Sequence, residues 1–182
     1  MKEIIINTFH ALTGKEYDVL KISPKHSYAA FFNNGALFIA DPSGDNIHSA
    51  EGVSTFAWAI FRDAECLLYQ RGDRLYMFDI KTKSDFVLQT LPSASAITID
   101  SYGDSFVVIV PSVAGVLDVS LYDSSLRLTS IPLHDVRCFN TAHRLTVFIH
   151  NDSSITVVSP AEPHQVHAAL GFIPTRVPHL KT

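Results

Sequence analysis

Charge is scarce in this sequence: 18% of its 182 residues are Asp, Glu, Lys or Arg, and the basic ones form no cluster. The electrostatic footprint of a protein that grips phosphate backbones is therefore missing, and no nucleic-acid partner is expected. Cysteine is scarcer still. Cys66 and Cys138 are the only two, each inside an apolar, strand-like run, so they read as reduced, buried thiols rather than a disulfide framework. No apolar run approaches the roughly 20 residues of a membrane helix. The stretch from Met1 to Asn7 has one lysine and three successive isoleucines, well short of the roughly 7–15 apolar residues of a secretory signal. A cytoplasmic protein without a membrane partner is the expectation. No glycine-rich phosphate cradle follows any strand-like run, which leaves nucleotide cofactors without support.

What the chain does have is apolar residues, 47% of the total, enough for one domain over residues 1–182 with a core that needs no disulfide or metal. They recur with period two in runs of four to seven, rich in Val, Ile, Phe, Tyr and Thr. Asn33-Asn34-Gly35, Arg71-Gly72-Asp73 and Asn151-Asp152-Ser153 each separate two such runs and supply the residues that tight hairpin turns demand. The spacing predicts hairpins pairing residues 28–32 with 36–40, 65–70 with 74–78, and 145–150 with 154–158. A fourth joins 105–110 with 116–121. No segment sustains helical apolar spacing behind a cap, so helix should be minimal.

Set side by side, the hairpins repeat at about forty residues, a period found in propeller blades. Their second strands close alike, on Asp41, Asp79 and Asp123. Each has a preceding strand (18–22, 55–61, 96–100, 136–140), and following strands are visible at 86–90 and 126–133. On this pattern the chain resembles the WD40-like β-propeller superfamily over roughly residues 18–160, although the Trp-Asp and Gly-His dipeptides of that superfamily are absent. The resemblance implies an all-β fold of about four antiparallel units, a rigid scaffold that binds other molecules on its loops. A β-sandwich with long hairpins fits the same periodicity. The aspartates that close the hairpins also have a purely structural reading as acceptors for the backbone N–H groups of the following turn.

Candidate chemistry is thin. Tyr102-Gly103-Asp104-Ser105 resembles the nucleophile block of the GDSL hydrolases, but no Asp-x-x-His block follows to supply acid and base, and a turn feeding a strand explains the same residues. A small hydrolase using Ser105 is the alternative enzyme reading. His164 and His167 stand at ligand spacing without a further pair to complete a metal site. His134-Asp135 and His150-Asn151-Asp152 put a base beside an acid, yet neighbours on a strand point to opposite faces. No catalytic residue, metal or cofactor is assigned.

The net charge of −4 turns attention to a basic protein partner. In a four-strand unit the second-to-third turns and the links between units share one face. That face collects Asn34, Glu51, Asp73, Asp135, Asn151 and Asp152, the candidate partner-binding residues. By analogy, a small acidic chain of this kind is similar to bacterial immunity proteins that cover the basic active site of a toxin nuclease. The expected function is a non-catalytic, protein-binding inhibitor of that type, with a structural assembly subunit as the other binding role.

Overall fold

A computed structural model of the chain describes residues 19–33, 35–91, 97–102, 105–111, 116–123, 125–126, 128–142, 145–158 and 166–169. Period-two alternation becomes sixteen strands in four sheets. The first sheet is β1 (Leu20–Ile22), β2 (Ala29–Asn33), β3 (Ala36–Ala40) and β4 (Asn46–Glu51). The second is β5 (Val53–Phe61), β6 (Ala64–Arg71), β7 (Arg74–Asp79) and β8 (Ser84–Thr90). The third is β9 (Thr98–Tyr102), β10 (Ser105–Pro111), β11 (Val116–Tyr122) and β12 (Leu128–His134). The fourth is β13 (Val136–Ala142), β14 (Leu145–His150), β15 (Ser154–Val158) and β16 (Val166–Ala169). Each is an antiparallel meander in chain order. The described residues contain no helix.

All four hairpins expected from the turn residues form, in registers such as Phe31↔Phe38, Tyr69↔Tyr76, Val108↔Ser120 and Phe148↔Thr156. Two of the turns between second and third strands are described in full, and Gly35 is described in a third. Gly35 and Gly72 take φ of +76° and +59°, where a β-carbon would be strained. Asn151 and Asp152 turn the fourth sheet, with Ser153 N–H donating to the His150 carbonyl at 3.1 Å.

The sheets pack in series. Leu37, Ile39, Phe56, Trp58, Leu67, Tyr69 and Phe78 form a core between the first and second sheets. Leu68, Leu75 and Met77 meet Phe106, Val108 and Tyr122 between the second and third, and Val107, Ile109, Val119 and Leu121 meet Phe148 and Val158 between the third and fourth. The two middle sheets are thus apolar on both faces, as the doubly apolar run from Phe56 to Phe61 requires. The first strands lie innermost and contact one another, β1 against β5 and β5 against β9. The Trp58 indole Nε1–H donates to the Lys21 carbonyl at 2.9 Å, Lys21 Nζ donates to the Phe56 carbonyl at 2.8 Å, and the Ser101 hydroxyl donates to the Trp58 carbonyl. Three sheets are therefore tied through their inner strands by side chains that cross between them. A fan of sheets with converging first strands is the propeller arrangement, not the sandwich.

Candidate functional site

Several described turns on the loop-bearing faces are capped by their own side chains. On one face, Asp41 accepts from Ser43 N–H and Asp45 N–H at 2.9 and 3.0 Å, Asp79 from Lys81 N–H at 2.8 Å, and Asp123 from Ser125 N–H at 2.7 Å. The structural reading of these three aspartates is the observed one.

The opposite face carries the turns between second and third strands and the links between sheets. Glu51 is exposed at the end of β4, opposite Ala36. Gly52, at φ +69°, hands the chain to β5 close to the Arg71 stem. Asp73 is exposed in the β6–β7 turn, its carbonyl accepts from Leu91 N–H at 2.7 Å, and its carboxylate lies 3.9 Å from Arg74. Asp135, exposed at φ +55°, links β12 to β13, and its carbonyl accepts from Asn151 N–H at 2.9 Å. Asp152 accepts from Ser154 N–H at 2.9 Å. Hydrogen bonds from Ser154, its hydroxyl first and its backbone second, hold the Asp152 carboxyl below its ordinary value. The structure thus brings Asp135 beside Asn151 and Asp152, while Glu51 and Asp73 flank the contact of Gly52 with Arg71. Asn34 lies outside the described residues.

Two features of this face escape sequence reasoning. Arg74 joins Arg71 as a second cation, so the Glu51–Asp73 group is close to electrically balanced, and the acid excess belongs to Asp135 and Asp152. Asp152 also caps its own turn, just as the aspartates of the other face do.

The histidine pairings resolve differently from a base-and-acid arrangement. His150 Nδ1 lies 2.8 Å from the His134 carbonyl, and Nε2 lies 2.8 Å from the Thr156 hydroxyl. The carbonyl can only accept, so Nδ1 carries a proton, and Nε2 shares its hydrogen bond with the Thr156 hydroxyl. His150 ties the third sheet to the fourth. His167 stands in strand β16 in register with Thr156, and His164 lies outside the described residues. Ser105 is buried at the start of β10, while Gly103 and Asp104 lie outside the described residues. No group of three or more metal-ligating side chains occurs among the described residues.

A groove opens between the second and third sheets on the face of the Asp79 and Asp123 turns. Its larger part, about 430 Å³, is lined by Phe61, Met77, Phe86, Val87, Leu88 and Leu126, with Arg62 and Asp79 beside them. A continuation of about 220 Å³ reaches Glu65, Cys66 and Lys81. Burial, with the Asp79 charge second, pushes the Cys66 thiol up to about 12.

No known sequence family matches the chain, and no curated protein matches it by sequence. Solved structures do match. The N-terminal domain of Nup159 is similar over 83% of this chain and 44% of its own, with a TM-score of 0.60 and 12% identity. The CNH domain of AfRom2 matches over 85% and 55%, with a TM-score of 0.57 and 11% identity. Kluyveromyces lactis Hsv2 matches over 84% and 49%, with a TM-score of 0.54 and 14% identity. The four sheets are β-propeller blades. They span roughly half the length of the propellers they match.

Proposed function

We propose that this chain is a non-catalytic scaffold that binds a protein partner on the blade face carrying Glu51, Asp73, Asp135, Asn151 and Asp152. The observation supporting this is that two described loops of that face are held by backbone hydrogen bonds, Asp73 with Leu91 and Asp135 with Asn151, while their charged side chains stand exposed. Pre-ordered loops lose little entropy on binding, which is what a docking surface needs. Nup159, a propeller similar to this chain, occurs in a solved complex with S. cerevisiae Dbp5 and Gle1. A dihydro-heme d1 dehydrogenase, NirN, is similar as well, so the fold alone does not separate scaffold from enzyme. The exposed loop face is the ground for the scaffold reading.

The narrower form of the proposal is a basic partner that the chain covers and inhibits, in the manner of an immunity protein over a toxin nuclease. Its support is the net charge of −4 and the acid excess at Asp135 and Asp152. Affinity capture with the whole chain, run in parallel with an Asp73→Lys/Asp135→Lys variant, tests both forms. One stoichiometric partner retained by the wild type and lost by the variant is expected. A partner held equally by both would overturn the face, and one of acidic character would overturn the narrower form.

A further inference from the structure

In a series of stacked units the inner units bury both faces against neighbours, whereas the end units meet water on one side and normally turn a polar face outward. The fourth blade does not. Phe139, Phe148 and Val158 pack toward the third blade, so the residues that alternate with them along each strand point away from it. Two cross-strand rows result, Cys138, Ile149 and Ile155 in one and Asn140, Val147 and Val157 in the other. All six residues are half-buried, and the four Val and Ile side chains belong to none of the cores that the described residues form. Arg137 is the only Asp, Glu, Lys or Arg in the four strands of this blade. It stands at the bulge where the register shifts between Val136 and Cys138.

The first blade ends the series differently. Ala29, Phe31 and Ala40 form its outward cluster, and Phe31 is only 5% exposed. That end is closed. Copies joined end to end would need both outward faces open, so a ring or filament of copies is excluded, and what is left to a second copy is the fourth blade alone.

An uncharged face has little with which to select a foreign partner, since charge complementarity is what discriminates among partners. An identical face matches it in extent and polarity. A two-fold axis brings the two together, the rows of one copy crossing those of the other as two sheets pack in a sandwich. Strands of about five residues, four abreast, cover a plane of roughly 16 by 19 Å, about 300 Å² on each copy. That is small beside the roughly 800 Å² per partner of a standard interface, so the association is reversible.

We infer that the outward face of the fourth blade docks the same face of a second copy of this chain, forming a weak two-fold dimer. It uses neither loop face, and it stands on observations separate from those behind the proposed partner surface.

Sedimentation of the whole chain between about 5 and about 500 µM tests this. The average mass should rise from one copy toward two and stop there. Salt at about 1 M should leave the association as strong or strengthen it, because apolar contact is not screened. Ile149→Lys, which sets like charges against each other near the axis, should raise the dissociation constant at least about tenfold, and so should the near-isosteric Val147→Thr/Val157→Thr. Circular dichroism checks both folds, and the threonine pair keeps its β-branching, so it remains readable if the lysine variant does not fold. Cys138 lies in the same rows, so a maleimide should label it more slowly at the high concentration than at the low one. Asp73→Lys/Asp135→Lys should leave the mass unchanged, so failure here and failure of the proposed function read out separately. A single-copy mass at about 500 µM, masses that grow beyond two copies, association abolished by salt, or equal association of both variants would overturn the inference.

Discussion

Cys66 and Cys138 share a similar sequence setting but not a similar environment. Cys66 is 3% exposed, its thiol lies 3.7 Å from the Ala59 carbonyl, and its pKa is raised to about 12. Cys138 is only half-buried, because it lies in the outermost blade, so the expectation that both are shielded holds for Cys66 alone. A thiol reagent at pH 8 should label Cys138 within minutes and Cys66 only as the protein unfolds, since the thiolate is the reacting form. Peptide mass mapping of the labelled protein checks this, and prompt labelling of Cys66 would contradict its burial. His48 is the second residue to test. Its ring stacks on Phe78 with centroids 4.0 Å apart, and its Nε2 lies 3.7 Å from Asp85. Burial pushes its pKa below 6.5, partly countered by Asp85 and reinforced by Arg71. Between the lowered folded value and 6.5 the unfolded chain binds the proton that the folded ring refuses, so stability falls as pH drops through that window. Urea unfolding across pH 5 to 8 should show this fall in the wild type and a shallower one in His48→Gln. Identical slopes would mean the ring titrates freely.

At the scale of the strand, what was legible in the sequence was whatever a turn residue announced. Gly35, Gly72 and the Asn151-Asp152 pair mark hairpins unambiguously because positive φ or self-capping leaves few alternatives. Strands β4 and β16 had no such mark. The first, Asn46–Glu51, is polar and lies on an edge, where alternation is weakly enforced; the second follows Pro160 and Pro163, which read as an interruption. The groove beside β8 was illegible for a related reason. The run Phe86-Val87-Leu88 looks like any core strand, and only its place at the rim of a blade leaves Phe86 and Val87 bare. The shared core between the second and third blades offers the prediction at this scale. Phe106 is 1% exposed and stacks on Tyr122 at 4.4 Å. Phe106→Ala should cost about 3–5 kcal/mol, as large-to-small changes in packed cores do. A loss below about 1 kcal/mol by chemical denaturation would mean these two sheets are not packed as described.

Across the whole molecule, four blades in series share three apolar cores, and the side chains left to vary lie on two loop faces and the outer edges. That division explains why the propeller could be read from the sequence while the turn residues of the candidate face stayed ambiguous. Turns select Asp and Asn for their geometry whatever the function. Asp152 shows the ambiguity, since it belongs to the candidate face and also caps Ser154 N–H. Asp135 caps no turn through a described side-chain bond, whereas Asp73 lies 3.9 Å from Arg74, so Asp135 presents the less compensated charge to a partner.

The rate at which the captured partner associates tests this most directly, measured by stopped flow at low and high salt for the wild type and for Asp73→Lys/Asp135→Lys. Charges that steer encounter speed association at low salt and lose that effect as salt screens them. The wild-type rate should fall steeply with salt, and the variant should start slower and respond less, with an unchanged circular dichroism spectrum. Equal rates at both salt concentrations, or a loss produced only by Asp79→Ala and Lys81→Glu on the opposite face, would contradict the assignment of the binding face.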